Sequence, residues 1–203
     1  MSTPVEKDPL AQEWQDMQGL VRFGYRHLTQ SCFLLLRVKD RVAARAWLAA
    51  APVTSAVAAK PLPGSALQIA FTSEGLRALD VPPDIVEGFS NEFMNGMSAD
   101  PGRSRRLGDI AANDPAKWAW GAGDRTPHVL VMLYASPGEL DDFQRDVRAQ
   151  CGVGFHEIDC LSTADLDRLE PFGFVDGISQ PEVDWRRERP AVDENQYLSL
   201  IHI

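Results

Sequence analysis

Apolar residues in this chain fall into short runs separated by polar turns, the pattern expected of packed strands and helices. Residues 32–38 (CFLLLRV) form a nearly continuous apolar run, whose length favours a buried strand over a helix. Residues 67–71 and 155–159 predict two more strands, and residues 128–135 (HVLVMLYA) predict the clearest buried strand of the chain.

Helices are predicted after two of these strands. Asp40 is a predicted N-cap, because its carboxylate precedes a helical pattern. The helix that follows carries apolar residues at helical spacing and stops at a proline: Val42, Ala46, Trp47, Ala50 and Pro52. Residues 73–79 predict a short helix before the next turn.

A second long helix is predicted after residue 135. Ser136 and Glu139 have the spacing of a capping box, with Pro137 at the first helical position. The apolar stripe of this helix is then formed by Leu140, Phe143 and Val147.

The predicted elements follow the order strand, helix, strand, strand, helix, strand, with residues 84–127 inserted between the second and third strands. This βαββαβ order is the ferredoxin-like split unit and predicts an α+β fold. Within the insertion, a short helix is predicted near residues 91–97, followed by a loop rich in proline and glycine that reaches Gly123.

Size and charge narrow the classes of partner. The 203 residues are 44% hydrophobic and can bury one sizeable core. The chain has 29 acidic and 20 basic residues and a net charge of −9, which disfavours binding to nucleic acid or to an anionic membrane. The dense basic cluster of residues 103–106 (RSRR) is predicted to be a solvated loop.

Three cysteines, Cys32, Cys151 and Cys160, are too few and too widely spaced for a disulfide framework, and they contain no CxxC pair. Cys32 is predicted to be a small core residue. The polar N-terminus has no signal core, and no apolar run approaches the roughly 20 residues of a membrane span. We expect a soluble cytoplasmic protein whose residues 1–13 form a disordered lead.

The segment with the strongest chemical signal is residues 170–181 (EPFGFVDGISQP), in which Asp176 lies between Gly173 and Gly177. Glycines allow a tight turn and a close approach to a flat ligand, because they have no Cβ. A carboxylate held there at the edge of an apolar cavity can act in proton transfer. The alternative is an ordinary turn in which the Asp bonds its own backbone.

Residues 173–177 (GFVDG) resemble the GxxDG motif of the dye-decolorizing peroxidases, a family of haem enzymes. Blocks upstream resemble the same family in the same order, so that the likeness runs from about residue 15 to about residue 185. These blocks are residues 17–25 (MQGLVRFGY), 67–72 (LQIAFT), 75–79 (GLRAL) and 107–121 (LGD to WAWG).

The resemblance implies an antiparallel sheet with helices on one face, and a haem b cofactor in the full-length protein. It implies that Asp176 is the distal acid–base residue in the cleavage of hydrogen peroxide, with an aromatic compound as reductant. Gly177, Ile178 and Ser179 would line the haem edge. The proximal histidine and the distal arginine of the family lie in a second domain.

The histidines of this chain do not match that proximal ligand. His27, His128 and His156 are predicted to be structural, and His202 lies in a tail, residues 197–203, that resembles translated adapter sequence. We therefore expect residues 14–196 to be an N-terminal peroxidase domain, with no metal ligand in this chain, the second domain missing and the fragment inactive alone.

Two alternatives stay open. The chain can be a non-catalytic ferredoxin-like domain that uses its sheet for binding or dimerisation, or a haem-handling protein without peroxidase turnover. The sequence leaves open the natural reductant, packaging in a compartment, and whether the protein is a homo-oligomer.

Overall fold

The computed structural model describes residues 13–164, 166, 169, 173 and 174, and the backbone of residues 182–184 and 197–199. The chain divides into two compact units, Met1–Asp165 and Leu166–Ile203. In the second unit, β5 (Glu182–Asp184) pairs in parallel with β6 (Tyr197–Ser199). The elements that follow belong to the first unit.

The first unit is built on a four-stranded sheet in the order β2-β3-β1-β4. Every neighbouring pair is antiparallel, and the β1–β4 register shifts between Leu35 and Leu36. This confirms the predicted α+β, ferredoxin-like architecture. The strands are β1 (Gln30–Val38), β2 (Ser65–Phe71), β3 (Val129–Ala135) and β4 (Phe155–Ser162).

Three helices connect the strands, α2 (Arg41–Ala50), α3 (Ser73–Ala78) and α7 (Leu140–Cys151), and a short helix α1 (Glu13–Asp16) precedes β1. The predicted cap of α2 is confirmed, since the Asp40 carboxylate accepts the Ala43 amide at 3.0 Å.

The predicted capping box before α7 is wrong. Ser136 donates its hydroxyl to the Gly64 carbonyl instead, and the chain makes a turn with Gly138 at φ +86° before the helix begins at Leu140. A tertiary partner for the hydroxyl has displaced the local cap.

The core lies between these helices and one face of the sheet. Trp47 of α2 meets Phe155 edge to face, with ring centroids 5.7 Å apart. Of the apolar positions predicted for α2, Trp47 is buried as expected. Val42, Ala46 and Ala50 are exposed, because the helix turns Ala44 and Trp47 toward the core. Arg148 of α7 donates two hydrogen bonds of 2.8 Å to the Glu157 carboxylate of β4.

The insertion contains more helix than its composition predicts. Helix α6 covers the basic cluster that was predicted to be a loop, because Asp100 accepts the Gly102 and Arg103 amides and Gly108 ends the helix at φ +84°. The helices of the insertion are α4 (Pro83–Val86), α5 (Asn91–Asn95) and α6 (Pro101–Leu107), and three 3-10 turns follow at Ala111–Asn113, Pro115–Lys117 and Gly123–Arg125.

Among the described residues, no helix is both long enough and apolar enough to cross a bilayer. The longest of them, α7, has 12 residues, whereas a span needs about 20.

Candidate functional site

Residues 17–25 and residues 67–72 are joined by hydrogen bonds from two glutamine side chains. The Gln18 side chain accepts the Ile69 amide and donates to the Ile69 carbonyl, both at 2.7 Å. The Gln68 side chain accepts the Leu20 amide at 2.9 Å and donates to the Thr54 carbonyl at 2.9 Å. These amide groups satisfy backbone donors and acceptors, as a strand partner would, so they tie the N-terminal segment to β2.

Gly19 is required by the same packing. A Cβ at this position would collide with the Tyr25 hydroxyl and would lie 2.8 Å from the Ser55 carbonyl oxygen. Tyr25 is buried and has a φ of +47°. Burial, together with the neighbouring Tyr134, raises the pKa of Tyr25 above its ordinary value. Its ring lies 5.5 Å from that of Tyr134, which joins this segment to the sheet.

The sheet face opposite the helices, called the second face here, is mainly apolar along β1 and β3. Alternation along the strands places Phe33, Leu35, Leu130, Met132 and Tyr134 on it. Phe33 and Tyr134 are in edge contact, with centroids 6.2 Å apart, and the Tyr134 hydroxyl reaches the Met132 sulfur at 4.0 Å. Part of this surface is covered by the N-terminal segment, since Phe23, Tyr25 and Leu28 pack with Tyr134.

Two of the clefts on the described part of the first unit have the volume of a small-molecule site. One, of about 550 Å³, lies between residues 22–27 and residues 54–63; we call it the basic cleft. The other, of about 610 Å³, lies between the start of α3, helix α5 and Trp120. Sequence reasoning identified neither, because each is formed by segments that are distant in the chain.

Two of the predicted structural histidines have ring nitrogens with backbone partners. His27 Nε2 donates to the Pro63 carbonyl at 2.9 Å. His128 is 8% exposed, and its Nδ1 accepts the Val38 amide at 3.1 Å. Burial, and secondarily the charge of Arg37, lowers the pKa of His128 to about 4. His156 lies exposed in β4.

The cysteines have no metal-binding arrangement. All three are free, and no group of three or more His, Cys, Asp or Glu side chains in the described part of the chain is placed to hold a metal ion. Burial, reinforced by the adjacent Cys160, raises the pKa of Cys32 to about 12. A thiol with this pKa stays protonated near neutral pH and is a poor nucleophile. Cys32 is therefore the core residue that the sequence predicted.

The predicted site residues Asp176, Gly177, Ile178 and Ser179 lie outside the described residues. Of their loop, the structure describes Gly173 and Phe174. Gly173 has a φ of +82°, a backbone conformation that favours glycine. Phe174 is 72% exposed.

Similarity to known proteins agrees with this fold. A curated dye-decolorizing peroxidase from Exidia glandulosa is 29% identical over 183 residues, covering 83% of this chain and 34% of that protein. A dye-decolorizing peroxidase solved in complex with 2,6-dimethoxyphenol has a TM-score of 0.65 at 25% identity, over 86% of this chain and 40% of that one. The chain is related to the dye-decolorizing peroxidases.

A further structure, of a fungal dye-decolorizing peroxidase from Auricularia auricula-judae, has a TM-score of 0.66 at 23% identity and supports the fold. It is matched over 87% of this chain and 39% of its own. The chain thus spans about a third of the length of the curated relative and about two fifths of the solved ones. No family model matches it.

Proposed function

We propose that this chain is the N-terminal part of a haem peroxidase that uses hydrogen peroxide to oxidise aromatic donors. The observation that carries the proposal is the match to dye-decolorizing peroxidases in both sequence and fold over more than four fifths of the chain. One of those relatives binds 2,6-dimethoxyphenol, an electron-rich phenol, which supports an aromatic reductant here.

Within this proposal, Asp176 is the distal acid–base residue. Its carboxylate accepts a proton from one peroxide oxygen and returns it to the departing oxygen, so that the O–O bond breaks heterolytically. An unperturbed aspartate has a pKa of about 3.9. Its carboxylate is therefore ionised, and can accept a proton, from mildly acidic pH upward. Gly177, Ile178 and Ser179 line the haem edge, where a residue without Cβ permits close approach.

The described residues fit haem in one respect and not in another. The second face supplies apolar surface along β1 and β3, but His27, His128 and His156 lie outside any region that resembles the family's proximal helix. Haem b, when bound, supplies the iron at which peroxide is activated, and the identity of the axial ligand sets its affinity and potential. We propose that a histidine in a second domain of the longer protein supplies this ligand, and that the 203 residues alone are inactive.

The test uses the full-length gene product and its Asp176→Asn variant. The asparagine is nearly isosteric but cannot accept the proton, so we expect about 10²- to 10⁴-fold slower reaction with peroxide. Stopped-flow absorbance measures this rate, while the Soret band shows that haem stays bound. Asp124→Asn, which changes an exposed carboxylate on a 3-10 turn, is the matched control and should react normally. Normal turnover of Asp176→Asn would rule out the acid–base role.

The non-catalytic alternative makes a different prediction. If the chain is a binding or dimerisation domain, the full-length protein should bind no haem and should show no Soret band after reconstitution. Haem binding without peroxide-dependent oxidation of 2,6-dimethoxyphenol would instead support the haem-handling alternative.

A further inference from the structure

The basic cleft has two walls that hydrogen bonds hold together at both ends. Arg22 on the first wall donates from its guanidinium to the Ala56 carbonyl of the second wall at 2.9 Å. At the other end, His27 Nε2 donates to the Pro63 carbonyl at 2.9 Å. The cleft is therefore preformed by the fold, and its volume of about 550 Å³ lies in the range of small-molecule sites.

The lining of this cleft is mainly apolar. Phe23 and Tyr25 form an aromatic pair on the first wall, with ring centroids 6.3 Å apart. On the second wall, Val57 and Leu62 are 43% and 66% exposed, although both are large apolar side chains. Aromatic and aliphatic side chains that line one cleft favour a flat apolar ligand.

The charges around the cleft have one sign. Two arginines, Arg22 and Arg26, line it, and no aspartate or glutamate does so among the described residues. Arg22 stacks over the Trp14 ring at 4.2 Å and forms no ion pair within the described part of the chain. Arg26 is exposed, and its guanidinium has no hydrogen bond to any described residue. This local excess of positive charge occurs in a chain whose net charge is −9.

From these features we infer that the basic cleft binds a small aromatic anion, a carboxylate or sulfonate carried on one or two fused rings. The rings lie between the apolar walls, and the acidic group meets Arg26, whose planar guanidinium matches two oxygens at once. An organic cation would face charges of its own sign there. The inference involves neither haem nor Asp176, so it stands or falls separately from the proposed peroxidase activity.

The test titrates the 203-residue chain with two fluorescent probes that share a ring system. The first is 8-anilinonaphthalene-1-sulfonate, and the second is N-phenyl-1-naphthylamine, which lacks the sulfonate. We expect saturable binding of one sulfonate probe per chain, about tenfold tighter than the neutral probe, because only the former reaches the guanidinium. Calorimetry gives the stoichiometry and fluorescence gives the dissociation constants.

Three variants locate the site. Arg26→Gln should weaken binding of the sulfonate probe about fivefold to tenfold and leave the neutral probe unchanged. Arg105→Gln removes an exposed arginine of α6 that lines neither cleft, so it has the same effect on net charge and should bind both probes normally. Ala58→Trp places a large ring at an exposed position of the cleft and should exclude both probes.

Circular dichroism and the thermal midpoint check that each variant is folded. The inference is overturned if neither probe binds to the parent chain. It is also overturned if both probes bind equally and Arg26→Gln matches Arg105→Gln, since that result describes an exposed apolar patch without an anion site.

Discussion

The sheet layer and the insertion of residues 84–127 are held by different interactions. In the sheet layer, Leu34, Val131 and Leu133 are fully buried among helices and neighbouring strands. In the insertion, large apolar side chains are exposed, among them Ile85, Leu107 and Ile110. Two of its short helices, α5 and α6, begin at local side-chain caps from Ser90 and Asp100.

The difference indicates which part of the fold supplies most of its stability and which part can vary in sequence. Buried apolar area supplies most of the free energy of folding, and it is concentrated in the sheet. Local capping satisfies backbone groups without much burial, so we expect the insertion to tolerate substitution and to open at a lower free energy than the sheet. The strongest test of this comparison removes equal groups from the two regions.

Leu34→Ala in β1 should lower the free energy of unfolding by about 2–5 kcal/mol, because the side chain is fully buried and its loss leaves a cavity. Leu107→Ala in the insertion removes the same atoms from a side chain that is 57% exposed, and the change should stay within about 0.5 kcal/mol. Urea denaturation measures both. Equal losses would show that the insertion has a core of its own.

His128 lies where the insertion joins β3, and it makes the stability of the sheet depend on pH. Its pKa is about 4 in the folded state and near 6.5 when unfolded. Between these values the unfolded chain binds a proton that the folded chain does not, so stability should fall as pH drops from 6.5 to 4. The loss from this residue is about 2–3 kcal/mol.

The variant His128→Asn retains an acceptor for the Val38 amide but does not titrate. Denaturation between pH 8 and pH 4 should show a shallower decline for this variant than for the parent chain. Parallel curves would mean that burial of the ring does not cause the pH dependence.

Gly75 of α3 offers a further test of the comparison, because it packs against the backbone of His128 just before β3. A Cβ at this position of α3 would collide with the backbone of His128. Gly75→Ala should therefore cost about 1–3 kcal/mol through overpacking, despite the better helix propensity of alanine. Gly24→Ala is the control, because a Cβ there has nothing within 4 Å. A Gly75→Ala chain as stable as its parent would contradict this contact.

The smallest effect is expected at a cap within the insertion. Ser90 accepts the Phe93 amide at 3.3 Å at the start of α5. Ser90→Ala should speed amide exchange in α5 by about fivefold, as loss of roughly 1 kcal/mol of capping predicts, while the global free energy hardly changes. Ser98→Ala, outside the helix, is the control. A global loss above about 1 kcal/mol would show that the insertion folds cooperatively with the sheet.

Local pattern predicted much of the sheet layer. The four strands and the Asp40 cap are confirmed, because apolar runs and a capping carboxylate depend on neighbours in the chain. The resemblance to peroxidases is confirmed by similarity in sequence and fold. The predicted capping box at Ser136 was wrong, because the Ser136 hydroxyl donates to the distant Gly64 carbonyl. The predicted loop at residues 103–106 was also wrong, because Asp100 caps a helix there.

The amino-acid sequence by itself determined the order of strands and helices and the α+β class, since each follows from residues that are close together in the chain. Tertiary structure alone decided that Gln18 and Gln68 anchor the N-terminal segment, that His128 is buried, and that Arg22 and Arg26 face residues 54–63 across a cleft. These contacts join residues tens of positions apart. Periodicity contains no information about such pairs, because it records only which side of an element is apolar.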